Sequence, residues 1–140
     1  MMLKTRPLLL IEDDNVDAMT VKRAMDDVGV SETLVHLTNG EEALAYLQSE
    51  VNEKPCLILL DLDMPRMNGI EFLEEAKRDP SLRKIPVVVL TTSRQDCDVV
   101  KSFKNSVAGY MVKPIDYGQF VETMRAISEY WALSELPEAL

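Results

Sequence analysis

The chain has 140 residues, of which 46% are hydrophobic and 28% are charged, and this balance is typical of one folded domain with a substantial core. Its 24 acidic and 15 basic residues give a net charge of −9, which argues against binding nucleic acid or an anionic membrane by general electrostatic attraction. The N-terminal apolar run is short and ends in acidic residues, so it is no signal peptide, and no stretch reaches the ~20 apolar residues of a membrane span. We therefore expect a cytoplasmic protein.

Short apolar segments alternate with helical patterns along the whole chain. The predicted strands are Pro7 to Ile11, Thr33 to Leu37, Leu57 to Asp61, Pro86 to Leu90 and Gly109 to Val112. The predicted helices run from an Asp14 or Asn15 cap to Gly29, then Glu41 to Gln48, Ile70 to Arg78, Asp96 to Lys104 and Tyr117 to Leu133. Such alternation predicts an α/β fold with a parallel sheet, right-handed crossovers and helices on both faces. We expect a single domain over residues 1–140, with a core at about 7–133 and a tail at 134–140.

The spacing of apolar residues assigns an inward face to each helix. The inward sets are Ala18, Val21, Met25 and Val28; Ala43, Leu44 and Leu47; Ile70, Leu73 and Ala76 or Lys77; and Phe120, Met124, Ile127 and Trp131. Cys56 opens an apolar strand and is predicted to fill the core. Cys97 is too far away to form a paired motif with Cys56, and with His36 as the one histidine a structural zinc site is not expected.

The stretch Leu57 to Gly69, LILLDLDMPRMNG, has the strongest functional character. Its first five residues form a strand that is apolar from Leu57 to Leu60, which predicts burial on both faces, and the strand stops on the carboxylate of Asp61. Asp63, Pro65 and Asn68 then give the following segment the composition of a loop. Asp61 is therefore predicted to lie at the carboxyl edge of the sheet, where open α/β sheets bind their ligands.

Polar side chains also follow three other predicted strands. Glu12 and Asp13 follow the first, Thr91 the fourth and Lys113 the fifth, so all should converge on Asp61 at one edge. Each could be an ordinary solvated residue, but their joint placement predicts a site. Clustered carboxylates repel one another unless a cation is bound, and oxygen ligands suit Mg²⁺. A lysine and a hydroxyl can hold a phosphoryl group beside a carboxylate that accepts it as an acyl phosphate.

Together these motifs resemble the receiver domain of two-component response regulators, a family that includes the chemotaxis regulator CheY. The resemblance rests on IEDD, LLDLDMPRMNG, VLTTS and GYMVKP, in that order, and covers Leu8 to about Trp131. It implies a flavodoxin-like (βα)5 fold, a doubly wound five-stranded parallel sheet with strand order 2-1-3-4-5. It also implies a phosphoacceptor that assists its own phosphorylation and dephosphorylation rather than an enzyme acting on other substrates.

The resemblance assigns roles to individual residues. It implies that Asp61 is phosphorylated by a histidine kinase, and that Mg²⁺ is bound by the carboxylates of Asp13 and Asp61 and by the backbone carbonyl of Asp63. Glu12, which replaces the commoner aspartate, would assist through water, and Asp14 is expected to cap a helix instead. The phosphoryl group would be held by the side chains of Thr91 and Lys113 and by the Thr92 backbone N–H.

The resemblance further implies a conformational switch. Thr91 would be drawn toward the phosphoryl group and Tyr110 would turn inward, changing the surface of the fourth helix, the fifth strand and the final helix. The Lys113–Pro114 bond would be cis, as X–Pro bonds alone allow at low cost. The implied partners are a sensor histidine kinase, phytochrome-like or hybrid, or a phosphotransfer protein, and then a protein target or a second copy bound through that surface.

Three other interpretations are open at this point. Asp61-Leu62-Asp63 resembles the DxD of haloacid-dehalogenase-type phosphatases, but there the motif lies on the first strand of a longer chain. A calcium-binding loop is disfavoured because Pro65 interrupts it and Phe72 stands where a ligand glutamate belongs. A receiver fold serving as a scaffold without phosphorylation would not need the complete set of site residues. Intact mass after treatment with acetyl phosphate and Mg²⁺ separates these alternatives.

Overall fold

The computed structural model describes residues 6–29, 33–62, 64, 66–91, 107, 109–112 and 116–139. The strands are β1 (Leu8–Ile11), β2 (Leu34–Leu37), β3 (Leu57–Asp61), β4 (Val87–Thr91) and β5 (Gly109–Val112). The helices are α1 (Asn15–Val28), α2 (Gly40–Gln48), α3 (Gly69–Arg78) and a C-terminal helix (Tyr117–Ala139). The predicted helix at Asp96 to Lys104 lies outside the described residues.

The five strands form one parallel sheet in the order β2-β1-β3-β4-β5, which confirms the predicted fold class and strand order. Every residue of β1 and β3 is buried, because alternate side chains of these strands enter two different cores. This explains why the strands are continuously apolar rather than alternating.

One core lies under α1 and the C-terminal helix, and the other lies under α2 and α3. The first contains Ala18, Val21, Ala24, Met25, Phe120 and Met124 together with the leucines of β1 and β3 that face them. The second contains Ala43, Leu47, Phe72, Leu73 and Ala76. The predicted inward faces are therefore confirmed for α1, α2 and the described part of the C-terminal helix, and Cys56 lies in the first core as predicted. The side chains of Ile127 and Trp131 lie outside the described residues.

Helix caps explain where the helices start and stop. The side chain of Asp14 accepts hydrogen bonds from the backbone N–H groups of Val16 and Asp17. Of the two residues predicted as candidate caps, Asp14 is therefore the N-cap of α1. Gly29 ends α1 with a φ of 82°, a left-handed conformation that glycine adopts without strain. Asn39 caps α2, and Asn68 caps α3.

Six predicted boundaries were wrong by one residue. β1 and β2 begin at Leu8 and Leu34 rather than at Pro7 and Thr33, and the other four boundaries belong to α2, α3 and β4. α2 begins at Gly40 and α3 at Gly69, each one residue early, because the asparagine before each glycine serves as the N-cap. β4 is shifted by one residue and extends to Thr91, which remains paired with β5.

Two other predictions about helices were also wrong. Phe72 was not assigned to the inward face of α3, yet it is fully buried, whereas Ile70 is only half-buried. The C-terminal helix continues past Leu133 to Ala139 instead of ending in a tail. None of the helices in the described ranges is both long enough and apolar enough to cross a membrane.

Candidate functional site

Three carboxylates meet at the carboxyl edge of the sheet. Glu12 and Asp13 follow β1, and Asp61 ends β3. The two strands are direct neighbours in register, with Ile11 paired to Leu60. As a result, Glu12, Asp13 and Asp61 each offer a carboxylate oxygen, and these oxygens all lie within 4.8 Å of one another. The predicted convergence of these three side chains is confirmed.

The burial of this acidic cluster favours a bound cation. The exposed fractions are 1% for Glu12 and 3% for Asp61, whereas Asp13 is exposed. Buried like charges are costly unless they are neutralised. Two oxygens bound to one hard divalent cation are about 3–5 Å apart, since the metal–oxygen bonds are about 2.0–2.6 Å. The donor type and spacing of this cluster therefore fit such a cation.

Backbone contacts with β2 fix the β1 side of the cluster. The Glu12 N–H donates to the carbonyl oxygen of Leu37 at 2.9 Å, which extends the β1–β2 pairing past the end of the strand. His36 Nε2 lies 2.7 Å from the Glu12 carbonyl oxygen, so the imidazole contacts the backbone at the end of β1. The Asp14 N–H approaches Glu12 Oε2 at 3.4 Å, while the Asp14 carboxylate caps α1.

On the β3 side, hydrogen bonds fix the two ends of the segment that joins Asp61 to Gly69. The Leu62 N–H donates to the Leu90 carbonyl at 3.1 Å, and the Gly69 N–H donates back to the Leu62 carbonyl at 3.2 Å. A Cβ atom at Gly69 would lie 2.7 Å from Leu62 Cα and 2.8 Å from the Asp61 carbonyl oxygen, so only glycine fits this position. Asn68 and Glu71 form a reciprocal capping box at the start of α3. The loop therefore begins and ends on rigid elements.

The backbone also brings β4 and β5 to the same edge. Asp61 is paired with Leu90, and the next residue, Thr91, is paired with Val112. Thr91 therefore follows directly beside Asp61, where the sequence predicted a hydroxyl. The side chains of Thr91 and Tyr110 lie outside the described residues, as do Asp63, Thr92, Lys113 and Pro114, so their predicted roles stay predictions.

The sequence did not reveal a contact between α2 and the loop after Asp61. Gly40 is the first residue of α2, and its N–H donates to the Met67 carbonyl at 3.0 Å. Next to it, Arg66 forms a 2.8 Å ion pair with Glu41. The available signal was an asparagine followed by Gly-Glu-Glu, a pattern that also suits a capped helix start.

Comparison with known proteins places this arrangement in a family. The family model described as the response regulator receiver domain matches residues 8–125. The probable methanogenesis regulatory protein FilR2 of Methanothrix harundinacea is 39% identical over 127 residues, which cover 89% of this chain and 82% of that protein. Response regulator Rcp1 of Synechocystis sp. is 36% identical over 128 residues, covering 89% of this chain and 87% of Rcp1.

Two solved structures show the same fold with a metal and in a phosphorylated form. The Mn²⁺-bound form of Rcp1 has a TM-score of 0.77 and 35% identity, covering 90% of this chain and 94% of that one. The phosphorylated cyanobacterial phytochrome response regulator RcpA has a TM-score of 0.78 and 35% identity, covering 92% of this chain and 95% of that one.

Proposed function

Because the chain belongs to the response regulator receiver domain family and is a phosphoacceptor of two-component signal transduction, we propose that Asp61 is the residue that accepts the phosphoryl group. One observation carries the proposal: Asp61 ends a fully buried central strand with the carboxylates of Glu12 and Asp13 beside it. Of these three carboxylates, Asp61 lies on the strand that adjoins Thr91 at the end of β4.

The metal in this proposal is Mg²⁺. The carboxylates of Asp13 and Asp61 and the backbone carbonyl of Asp63 would hold it, and Glu12 would contact it through water. When bound, the cation reduces the repulsion between the negatively charged carboxylates and the negatively charged phosphoryl oxygens. The clustered, largely buried oxygens of Glu12, Asp13 and Asp61 support this assignment.

Phosphoryl transfer to Asp61 would depend more on positioning the reacting groups than on acid–base catalysis. An Asp61 carboxylate oxygen attacks the phosphorus, a P–O bond forms, and the P–N bond to the donor histidine breaks with its electron pair returning to the imidazole. The product is an acyl phosphate on Asp61. Lys113 would pair with the phosphoryl oxygens, and the Thr91 hydroxyl and Thr92 N–H would donate to them. Hydrolysis by water, assisted by the same groups, would reset the protein.

Phosphorylation would act by shifting a balance between two conformations. Thr91 would move toward the phosphoryl group and Tyr110 would turn inward. The backbones of these residues lie on adjacent strands, with Tyr110 paired to Val89, two residues before Thr91, and this adjacency supports the coupling. A shift from mostly inactive to mostly active takes a difference of roughly 5 kcal/mol between the two states.

The proposed donor is a sensor histidine kinase, phytochrome-like or hybrid, or a phosphotransfer protein. Similarity to the phytochrome response regulator RcpA supports the phytochrome-like alternative. The proposed output is a protein target or a second copy of the chain, bound through β5, the C-terminal helix and the segment before β5. A cytoplasmic location is expected, as it was from the sequence.

The decisive experiment is intact-mass measurement after incubation with acetyl phosphate and Mg²⁺. The wild type should gain one phosphoryl group, and Asp61→Asn should gain none. Asp26→Asn, which changes an exposed carboxylate on α1, is the control and should be labelled like the wild type. Equal labelling of Asp61→Asn would overturn the assignment, and an unlabelled wild type would favour the scaffold alternative.

A further inference from the structure

The loop that follows Asp61 has a second anchor, on α2. Residues 66 and 67 of this loop contact residues 40 and 41, the first two residues of that helix. The first backbone N–H groups of a helix lack partners within the helix. Here the Gly40 N–H donates to the Met67 carbonyl at 3.0 Å, so a carbonyl from the site loop supplies one of the missing partners.

The contact with Gly40 leaves no room for a side chain. A Cβ atom at Gly40 would lie 2.7 Å from the Met67 carbonyl oxygen, 2.7 Å from Met67 Cγ and 2.9 Å from Met67 Cβ. The first of these atoms is backbone, which cannot move aside by a change of rotamer. Alanine at position 40 would therefore have to displace the loop or the helix.

The loop backbone at Arg66 and the start of α2 are also joined by side-chain contacts. Arg66 has a φ of 60°, an unusual conformation for a residue with a side chain. Its guanidinium Nη2 donates to Glu41 Oε2 at 2.8 Å. On the helix side, Asn39 is buried and its side chain accepts the Glu42 N–H at 2.9 Å, which fixes the start of α2.

We propose that Gly40 and Glu41 are positioning residues for the metal site, acting through Met67 and Arg66 on the loop that joins Asp61 to α3. The inference rests on the proposed function, because it assumes that this loop and the acidic cluster hold Mg²⁺. Neither residue lies among the three clustered carboxylates, so the proposed effect passes through their contacts with Met67 and Arg66. The start of α2 therefore sets how well the metal ligands are arranged before the cation binds.

The primary test is Gly40→Ala in the full chain, with Mg²⁺ affinity measured by calorimetric titration. We expect an affinity loss of about tenfold, the lower end of what is typical when a residue that orients metal ligands is changed. At saturating Mg²⁺, phosphoryl uptake from acetyl phosphate should return toward the wild-type level. An unchanged Mg²⁺ affinity would overturn the proposal.

Gly29→Ala is the matched control for loss of stability. Gly29 has a left-handed φ of 82°, so alanine is strained there, but a Cβ atom would meet nothing within 4 Å. This variant should lower the midpoint of urea unfolding without changing Mg²⁺ affinity. A drop in affinity equal to that of Gly40→Ala would show that general destabilisation explains both variants.

Arg66→Gln provides a test that does not depend on Gly40→Ala folding. Removing a positive charge from the loop that follows Asp61 should strengthen Mg²⁺ binding if electrostatics alone operates, whereas loosening the loop should weaken it. The proposal predicts weaker binding. Arg78→Gln is the control, since it removes the same charge from an exposed ion pair of similar length that lies within α3, between Arg78 and Glu75. Stronger binding by Arg66→Gln would contradict the proposal, and failure of the wild type to bind Mg²⁺ would instead contradict the proposed function.

Discussion

The phenol oxygen of Tyr117 donates a 2.5 Å hydrogen bond to Asp27 Oδ2, joining the first turn of the C-terminal helix to the last turn of α1. The guanidinium of Arg23 lies 4.7 Å from the centre of the Tyr117 ring. These contacts lie at the edge of the core shared by the two helices. Desolvation of the half-buried phenol, and then the hydrogen bond to Asp27, raise the pKa of Tyr117.

This pair predicts a pH-dependent contribution to stability. The pKa of Tyr117 in the folded protein is raised above its ordinary value of about 10. The stabilising contribution of the protonated phenol is therefore fully present at pH values below about 10. The contribution is lost as the pH rises through the folded pKa. Tyr117→Phe should therefore lower the midpoint of urea unfolding at pH 7 and differ less from the wild type above pH 10. A constant difference, or one matched by Tyr46→Phe on α2, would contradict the assignment.

Mg²⁺ should stabilise the folded protein by mass action. At a concentration a hundred times the Kd, binding to the folded state adds about 2.7 kcal/mol to the free energy of unfolding. Asp13→Asn should remove most of this gain, since it deletes one of three clustered carboxylates. Asp13 is exposed, and without metal its substitution relieves like-charge repulsion, so the metal-free variant should be no less stable. Thermal unfolding in Mg²⁺ and in EDTA measures both effects, and an equal Mg²⁺-induced shift in the variant would refute the prediction.

Phe72 should be among the most costly residues to truncate. It is fully buried between α3 and the sheet, in the core that also contains Leu47 and Leu60. Phe72→Ala should lower the free energy of unfolding by about 3–5 kcal/mol, through lost burial and the cavity left behind. Val51→Ala is the control, because Val51 is 93% exposed and its truncation should change stability little. Urea unfolding compares the two, and similar costs would count against the described packing.

The capping box before α3 should contribute measurably to stability. Asn68 Oδ1 accepts the Glu71 N–H at 3.0 Å, and Glu71 Oε1 accepts the Asn68 N–H at 3.1 Å. Asn68→Ala should cost about 1 kcal/mol of unfolding free energy, as is typical when an N-cap is lost. Asn68→Ser keeps a capping oxygen and should recover most of this loss in urea unfolding. If serine is no better than alanine, the side-chain cap is not the source of the effect.

The sequence predicted the central part of the fold well because burial on both faces leaves a clear signature. β3 was predicted with both of its ends correct, Leu57 and Asp61. The errors fall where local pattern and tertiary contact disagree. Phe72 was missed because the inward face of α3 was counted from Ile70, whereas the helix begins at Gly69 and its buried arc includes Phe72.

The acidic cluster was predictable for a topological reason. Residues that follow parallel strands share one edge of the sheet, so Glu12, Asp13 and Asp61 could be brought together from sequence position alone. The contact between Gly40 and Met67 could not be predicted in this way. It joins a backbone N–H to a backbone carbonyl of a distant loop, and such a pair leaves no side-chain pattern in either segment.

The central position of β1 and β3 has a consequence for folding. These strands are adjacent in the sheet, but α1, β2 and α2 lie between them in the chain. Pairing them requires closure of a long loop, which is a slow, non-local step compared with helix formation. A nascent chain that has not yet emerged past β3 therefore lacks the three-carboxylate cluster. Acquisition of divalent-metal binding during refolding should report the formation of the β1–β3 ladder, later than the appearance of helical signal.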